Sequence, residues 1–273
     1  MSSYLSKTRD YFRQFVETLL NFPRAALFIR DHKLWEGFFN YGWLSRFFIA
    51  IAILLGIKFL SIFADWMGSL SLDDPGTMVT NMGLLVKDFA LEGYGFLFAG
   101  GMKYLMLILL EVLVFHFSRR TLGILLGKES DTSFDSFLKA QMRMIKIAFR
   151  SWIMELIASG LIKIFFGIFG FIDFLEPMLL FGVQCYYLGF AILDNYFEQF
   201  EMTIKESAKY AQNYVGVALA LGVVLYGLLL IPLVGSITAP IIGAVTASLV
   251  LYRISDLHLL GKETEIELDE LVE

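Results

Sequence analysis

The stretch from Tyr214 to Ile254, YVGVALALGVVLYGLLLIPLVGSITAPIIGAVTASLVLYRI, constrains this chain more than any other. Two apolar runs of about 18–20 residues flank a short turn, and the first charge to appear is Arg253. So long a charge-free run exceeds the needs of a soluble core helix and matches the ~20 residues of a bilayer span. Pro232 lacks an N–H and ends one helix, Gly235 permits the reversal, and Pro240 suits the first turn of the next. Ala218-Gly222 and Ala239-Gly243-Ala247 repeat small residues at helical spacing, so the two arms are expected to approach closely. With no charged anchor at its tip, the hairpin fits a tight transmembrane turn and a re-entrant one equally well.

The remainder extends this reading. Of 273 residues 57% are apolar and 18% charged, where a soluble chain carries about 25% charged residues. The expectation is an all-α, polytopic integral membrane protein. It comprises two long transmembrane helices, two helical hairpins that either span or re-enter, and amphipathic surface helices. In order, these are an amphipathic interfacial segment (1–42), two transmembrane helices (43–117), a basic cytoplasmic loop with an amphipathic helix (118–150), hairpin 1 (151–193), a short cytoplasmic helix (194–213) and hairpin 2 (214–254). An acidic, mobile tail follows (255–273).

Local patterns carry further expectations. Leu5, Phe12, Phe15, Val16, Leu19 and Leu20 share one helical face, suited to the membrane surface, and Pro23 breaks or restarts that helix. Lys139, Arg143, Lys146 and Arg150 form one basic stripe, with Phe134, Phe137, Leu138, Ile145 and Phe149 on another face. This reads as an interfacial helix leading into the apolar run from Trp152 to Ile172. Glu201 and Lys205 stand at helix-supporting spacing in the short cytoplasmic helix. The Gly167 to Pro177 reversal echoes the Pro232 to Pro240 turn, which suggests a structural repeat or convergent turn chemistry. Basic residues concentrate before the first apolar run, in the 118–150 loop and at Lys205 and Lys209. That bias places both termini in the cytoplasm. The chain opens without the apolar core of a signal peptide, which suits a bacterial inner membrane.

No catalytic constellation is visible. His32, His116 and His258 lie in separate segments, and no His-Glu-x-x-His, nucleophile elbow or Rossmann fingerprint occurs. Gly123 to Glu129 lacks the spacing and the hydroxyl of a P-loop and reads as a helix ending near an interface. Cys185 is the single cysteine, so no disulfide forms within the chain. These absences point away from an enzyme, and no cofactor, metal or nucleic-acid partner is expected.

What stands out instead is charge inside the apolar runs: Lys58, Lys103, Glu111, Glu155 and Lys163. Each costs on the order of 2.5–3.5 kcal/mol near the bilayer centre, so each needs a partner, a wet cavity or a snorkelling route. Lys58 and Lys103 fall toward the outer side, where snorkelling is the simpler expectation. Glu111 and Lys163 lie deeper and are expected to face protein or water along a polar path. His116, Arg119 and Arg120, with Lys139, Arg143 and Lys146, make a basic cytoplasmic mouth that anchoring to lipid headgroups explains equally well.

Tyr186-Tyr-Leu-Gly-Phe-Ala-Ile-Leu-Asp-Asn-Tyr-Phe197, a short helix with mixed charge, then Ile231-Pro-Leu-Val-Gly through Pro240 to Tyr252-Arg253 resembles the CysZ-like sulfate permeases, also called the etoposide-induced-protein family. The order of elements is similar over most of the chain. The resemblance implies sulfate uptake across the inner membrane by a homo-oligomer with hemi-penetrating hairpins. Sulfate-transporting members carry Gly-x-Arg-Arg ahead of the first long helix, where this chain has Lys33-Leu34-Trp35-Glu36. That departure leaves Arg30, His32 and Lys33 as the local anion-binding candidates. The expected function is anion transport, sulfate-like in ancestry, with the lipid bilayer and an inorganic anion as partners. The alternative is a non-transporting structural or assembly subunit of a membrane complex.

Overall fold

A computed structural model of the chain describes residues 2–38, 46–47, 50, 53–54, 57, 102–128, 133–168, 174–231 and 234–259. Among them every regular element is helical. We label them α1 (Ser2–Asp31), α2 (Met102–Leu109), α3 (Glu111–Leu126), α4 (Phe134–Ile168), α5 (Glu176–Glu198), α6 (Ile204–Tyr210), α7 (Val215–Leu229) and α8 (Val234–Ile254). A short 3-10 helix, Ala211–Tyr214, joins α6 to α7. Four helical stretches of the described residues are long and apolar enough to cross a bilayer: Phe134–Ile168, Glu176–Glu198, Ile204–Leu229 and Val234–Ile254. The described elements are all helical, with four helical stretches of membrane-spanning length and apolarity.

The centre of the bundle is α5 crossing α7 at backbone distance. A Cβ on Gly189 would stand 1.9 Å from the Ala218 carbonyl oxygen, and one on Gly222 would stand 1.9 Å from that of Cys185. Two small-residue pairs four apart, one on each helix, thus face each other, as close helix contact in lipid requires. Ala218 and Gly222 therefore serve the neighbouring hairpin, and not the hairpin-2 partner that their spacing suggested. Within hairpin 2 the contact runs from Gly243 to the Leu225 side chain. At its tip Gly235 lies under the Leu228 carbonyl, too close for any side chain. The α8 helix begins at Val234, so Pro240 is inside it and not in its first turn. Pro232 lies outside the described residues.

Other expectations change in the same way. The α4 helix runs unbroken for 35 residues, merging the basic amphipathic segment with the third apolar run. Its Phe137 is buried, whereas Phe134, Leu138, Ile145 and Phe149 are exposed. The α1 helix continues through Pro23, which sits on its exposed face and removes one backbone hydrogen bond without ending it. Its Thr18, Asn21, Phe22 and Ala25 are buried against the bundle, while Phe12, Val16 and Leu20 face outward.

Polar contacts fix α1 to the end of hairpin 2. Tyr11 donates to the Gln212 carbonyl at 3.0 Å, Gln14 donates to that of Asn213 at 2.8 Å, and Glu17 pairs with Arg253 at 3.0 Å. The cytoplasmic helix is also shorter than expected. A turn with Glu201 in left-handed backbone precedes α6, so Glu201 and Lys205 share no helix. Thr203 caps α6 instead, in a reciprocal box with Glu206. The described start of the tail packs on the bundle: Ser255 and Leu257 are buried, and the rings of Tyr252 and His258 meet at 4.5 Å.

Candidate functional site

The buried charges fall on the inner faces of α2 to α5. Lys103 is fully buried, so it does not snorkel. Its Nζ donates to Glu155 Oε1 at 2.7 Å, and the Tyr104 hydroxyl donates to Glu155 Oε2 at 2.6 Å. The reason is geometric. The α2 helix packs on α4, and consecutive residues 103 and 104 bracket one carboxylate. A buried lysine that can reach a carboxylate gains more from pairing than from stretching to an interface.

A second cluster lies where α4 meets the end of α5. Arg143 grips Asp194 with both arms, Nε to Oδ2 at 2.7 Å and Nη2 to Oδ1 at 2.8 Å, and its Nη1 donates to the Met202 carbonyl at 2.6 Å. The Ser207 hydroxyl donates to the same Asp194 carboxylate. Glu198, one turn along α5, stands 3.9 Å from Arg143. A planar guanidinium suits this work, because it satisfies a carboxylate in two parallel bonds and still has an N–H for a backbone carbonyl.

Glu111 has no such counterpart. It is fully buried, and neither carboxylate oxygen receives a well-formed hydrogen bond among the described residues. Asn195 is close by, and the charges that reach it are the carboxylates Glu198 and Asp194. The helix departs from regular geometry beside it, at Leu110, where α2 gives way to α3. Gln141 lies on the α4 side, donating to the Ile108 carbonyl at 2.8 Å while its own oxygen is buried without a partner among the described residues. On the far side Gln199 donates to Ser118 at 2.9 Å, and Ser118 meets Ser248 of α8 at 3.1 Å. Glu111 thus lies in the interior beside Asn195, Glu198 and Asp194 of α5, and further buried polar groups of α3, α4 and α8 extend this polar layer.

The basic mouth is divided by the fold. Lys139, Arg143 and Lys146 line an open groove of about 730 Å³ between α4 and the start of α6, with Asp135, Glu198 and Thr203 on its other walls. His116 belongs elsewhere: it is buried, and its Nε2–H donates to the Leu34 carbonyl at 2.7 Å. Arg119 lies over the Phe115 ring at 4.9 Å, and Arg120 is half-buried on the same helix.

The remaining sequence candidates are dispersed. Arg30 pairs with its exposed neighbour Asp31 at 3.0 Å. His32 donates to the Phe28 carbonyl at 3.2 Å and stacks on that ring. Lys33 sits in left-handed backbone in the turn after α1. All three are exposed. Lys163 is exposed on the outer face of α4, so it does not join Glu111 on an inner path. Lys58 lies outside the described residues.

Sequence reasoning missed Glu198, Gln141, Gln199 and Ser207. It noted Asp194 only within a family motif. A usable signal was present, since Asp194 and Glu198 stand four apart at the end of an apolar helix and can answer a basic stripe on its neighbour. Among the described residues, no three His, Cys, Asp or Glu side chains converge to hold a metal ion. Comparison with protein families, with curated proteins and with solved structures returned no match, so the geometry of this polar layer is the ground for any functional reading.

Proposed function

We propose that this protein moves a small inorganic anion across a membrane. The polar layer around Glu111 is part of the pathway, and the groove bearing Lys139, Arg143 and Lys146 is its basic entrance. Glu111 is the observation that carries this reading. A fully buried carboxyl with no ion-pair partner among the described residues is costly to keep for packing alone, since a leucine would fill the space more cheaply. Intramembrane ionisable groups of this kind are functional by default. Glu198 and Asp194 act on Glu111 with Asn195 beside it, so the site suits a proton or a cation, which would offset the charge of an anion in transit. The groove offers lysines at the surface, where an oxyanion would first meet the protein.

Sulfate is the anion to test first, in keeping with the resemblance of residues 186–253. A bacterial inner membrane, cytoplasmic termini and a homo-oligomer complete the reading. The purified protein in vesicles should take up labelled sulfate saturably, with competition from phosphate or chloride. Glu111→Gln should bring uptake close to that of empty vesicles. Absence of uptake by correctly folded, correctly oriented wild-type protein would overturn transport. A non-transporting assembly subunit is then favoured by one feature, the exposed apolar outer half of α4. Stoichiometric co-purification of another membrane protein after gentle extraction would support that second reading.

A further inference from the structure

We infer that the cavity between α4, α5 and the α6–α7 junction is an oxyanion-binding site. It encloses about 190 Å³ and is lined by Arg150, Ser151, Tyr186, Tyr187 and Gln212, with Phe190 among its apolar walls. Four kinds of donor therefore surround it, a guanidinium, a serine hydroxyl, phenols and an amide, and no carboxylate is among its described lining residues. Glu155 lies one helical turn beyond Ser151 and acts on Tyr187, but Lys103 already neutralises it.

Ser151 is the second, independent observation. It is buried, and its hydroxyl has no partner among the described residues. A hydroxyl inside a helix ordinarily bonds the carbonyl four residues back. Thr18, Thr121, Thr238 and Ser248 all do so here, at 2.6 to 2.9 Å. Ser151 does not, and it lines the cavity instead. Arg150 is adjacent on the same helix, exposed, and close enough to act on the Tyr187 hydroxyl. An exposed guanidinium over a buried hydroxyl and phenols is a suitable set for a tetrahedral oxyanion.

Size narrows the ligand. At roughly 30 Å³ per water, the cavity has the volume of about six waters. That holds one sulfate- or phosphate-type group with a little solvent and is below the ~300 Å³ lower bound of drug-sized pockets. The group is either a free ion or the headgroup of a phospholipid. Identifying a free ion as transported cargo rests on the transport reading above, whereas the site itself does not.

The test is equilibrium binding of radiolabelled inorganic sulfate, then phosphate, to the full chain in nanodiscs. Native mass spectrometry of retained phospholipid is run in parallel, with and without phosphatidylglycerol. Saturable ion binding is expected, about tenfold weaker in Arg150→Gln, given the strength of charge-assisted bonds, and about threefold weaker in Ser151→Ala. Arg150→Lys should retain much of it. If the ions fail to bind but a phospholipid is held by wild type and lost from both variants, the oxyanion is a headgroup and the site stands. If wild type, Arg150→Gln and Ser151→Ala retain ion and lipid equally, the site is overturned. Ser151→Ala removes one atom and guards against misfolding as the cause. Ion binding without vesicle uptake would sink the transport reading alone.

Discussion

The two hairpins are similar in apolar character and in their turn residues, and occupy opposite situations. Hairpin 1 (α4 and α5) and hairpin 2 (α7 and α8) are both apolar, with glycine and proline near their reversals. Yet only 17% of the most apolar window of α4 is buried inside the protein, against 67% for α8. Leu156, Ile157, Leu161, Ile164, Phe165 and Ile168 of α4 all face outward. The α8 helix instead packs on α1, α3, α5 and α7. Charge is divided in the reverse sense. Hairpin 1 carries Glu155, Asp194 and Glu198 on its inner side, while the body of hairpin 2 carries none. The tight hairpin is therefore the scaffold, and the loose one presents the polar layer to that scaffold and its outer half to lipid. Hydrophobicity cannot separate these roles, because lipid and a protein core both accept leucine.

The contrast is best broken at the buried ion pair, where the largest effect is expected. Lys103→Met strands Glu155 in an apolar surround and should cost about 3–5 kcal/mol, whereas adding Glu155→Met should restore most of it, because desolvating the charges offsets their attraction. Chemical unfolding in mixed micelles measures both. If the double variant proves as unstable as the single one, the pair is packing support and not a compensated charge.

Glycines sharpen the contrast at intermediate size. Gly222→Ala drives a methyl into the Cys185 carbonyl and should cost about 1–3 kcal/mol. Gly160→Ala in α4 meets open space within 4 Å, and should leave stability unchanged or raise it by up to ~1 kcal/mol. Equal effects in a thermal-unfolding series would remove the distinction between scaffold and outer wall.

The smallest effect is expected at Lys163. On the exposed face of α4, Lys163→Leu should shift stability by no more than ~0.5 kcal/mol and leave sulfate uptake unaltered. A large loss of uptake in that variant would return Lys163 to the pathway.

Legibility followed the range of the interaction. Long charge-free runs and the helix end at Gly127 depend on a residue and its near neighbours, and those readings agree with the fold. The α3 helix does end at Gly127 in left-handed backbone, with Lys128 bonding back to Gly123. Boundaries set by competition were less visible. Pro23 looked like a break or restart and Pro240 like the first turn of a helix, but both lie inside α1 and α8, which packing carries through them. Lys103 looked like a snorkelling anchor because its acceptor is 52 residues away.

The sequence by itself determined that this chain is helical and belongs in a membrane, since bilayer length and backbone satisfaction are local demands that each apolar run meets alone. Only the tertiary structure decided which charges pair, which small residues meet and which remain without a partner. Arg143 chose Asp194, Lys103 chose Glu155, and Glu111 received no ion-pair partner among the described residues. Those outcomes depend on helix rotation and depth relative to neighbours, which a one-dimensional pattern of similar apolar residues does not encode.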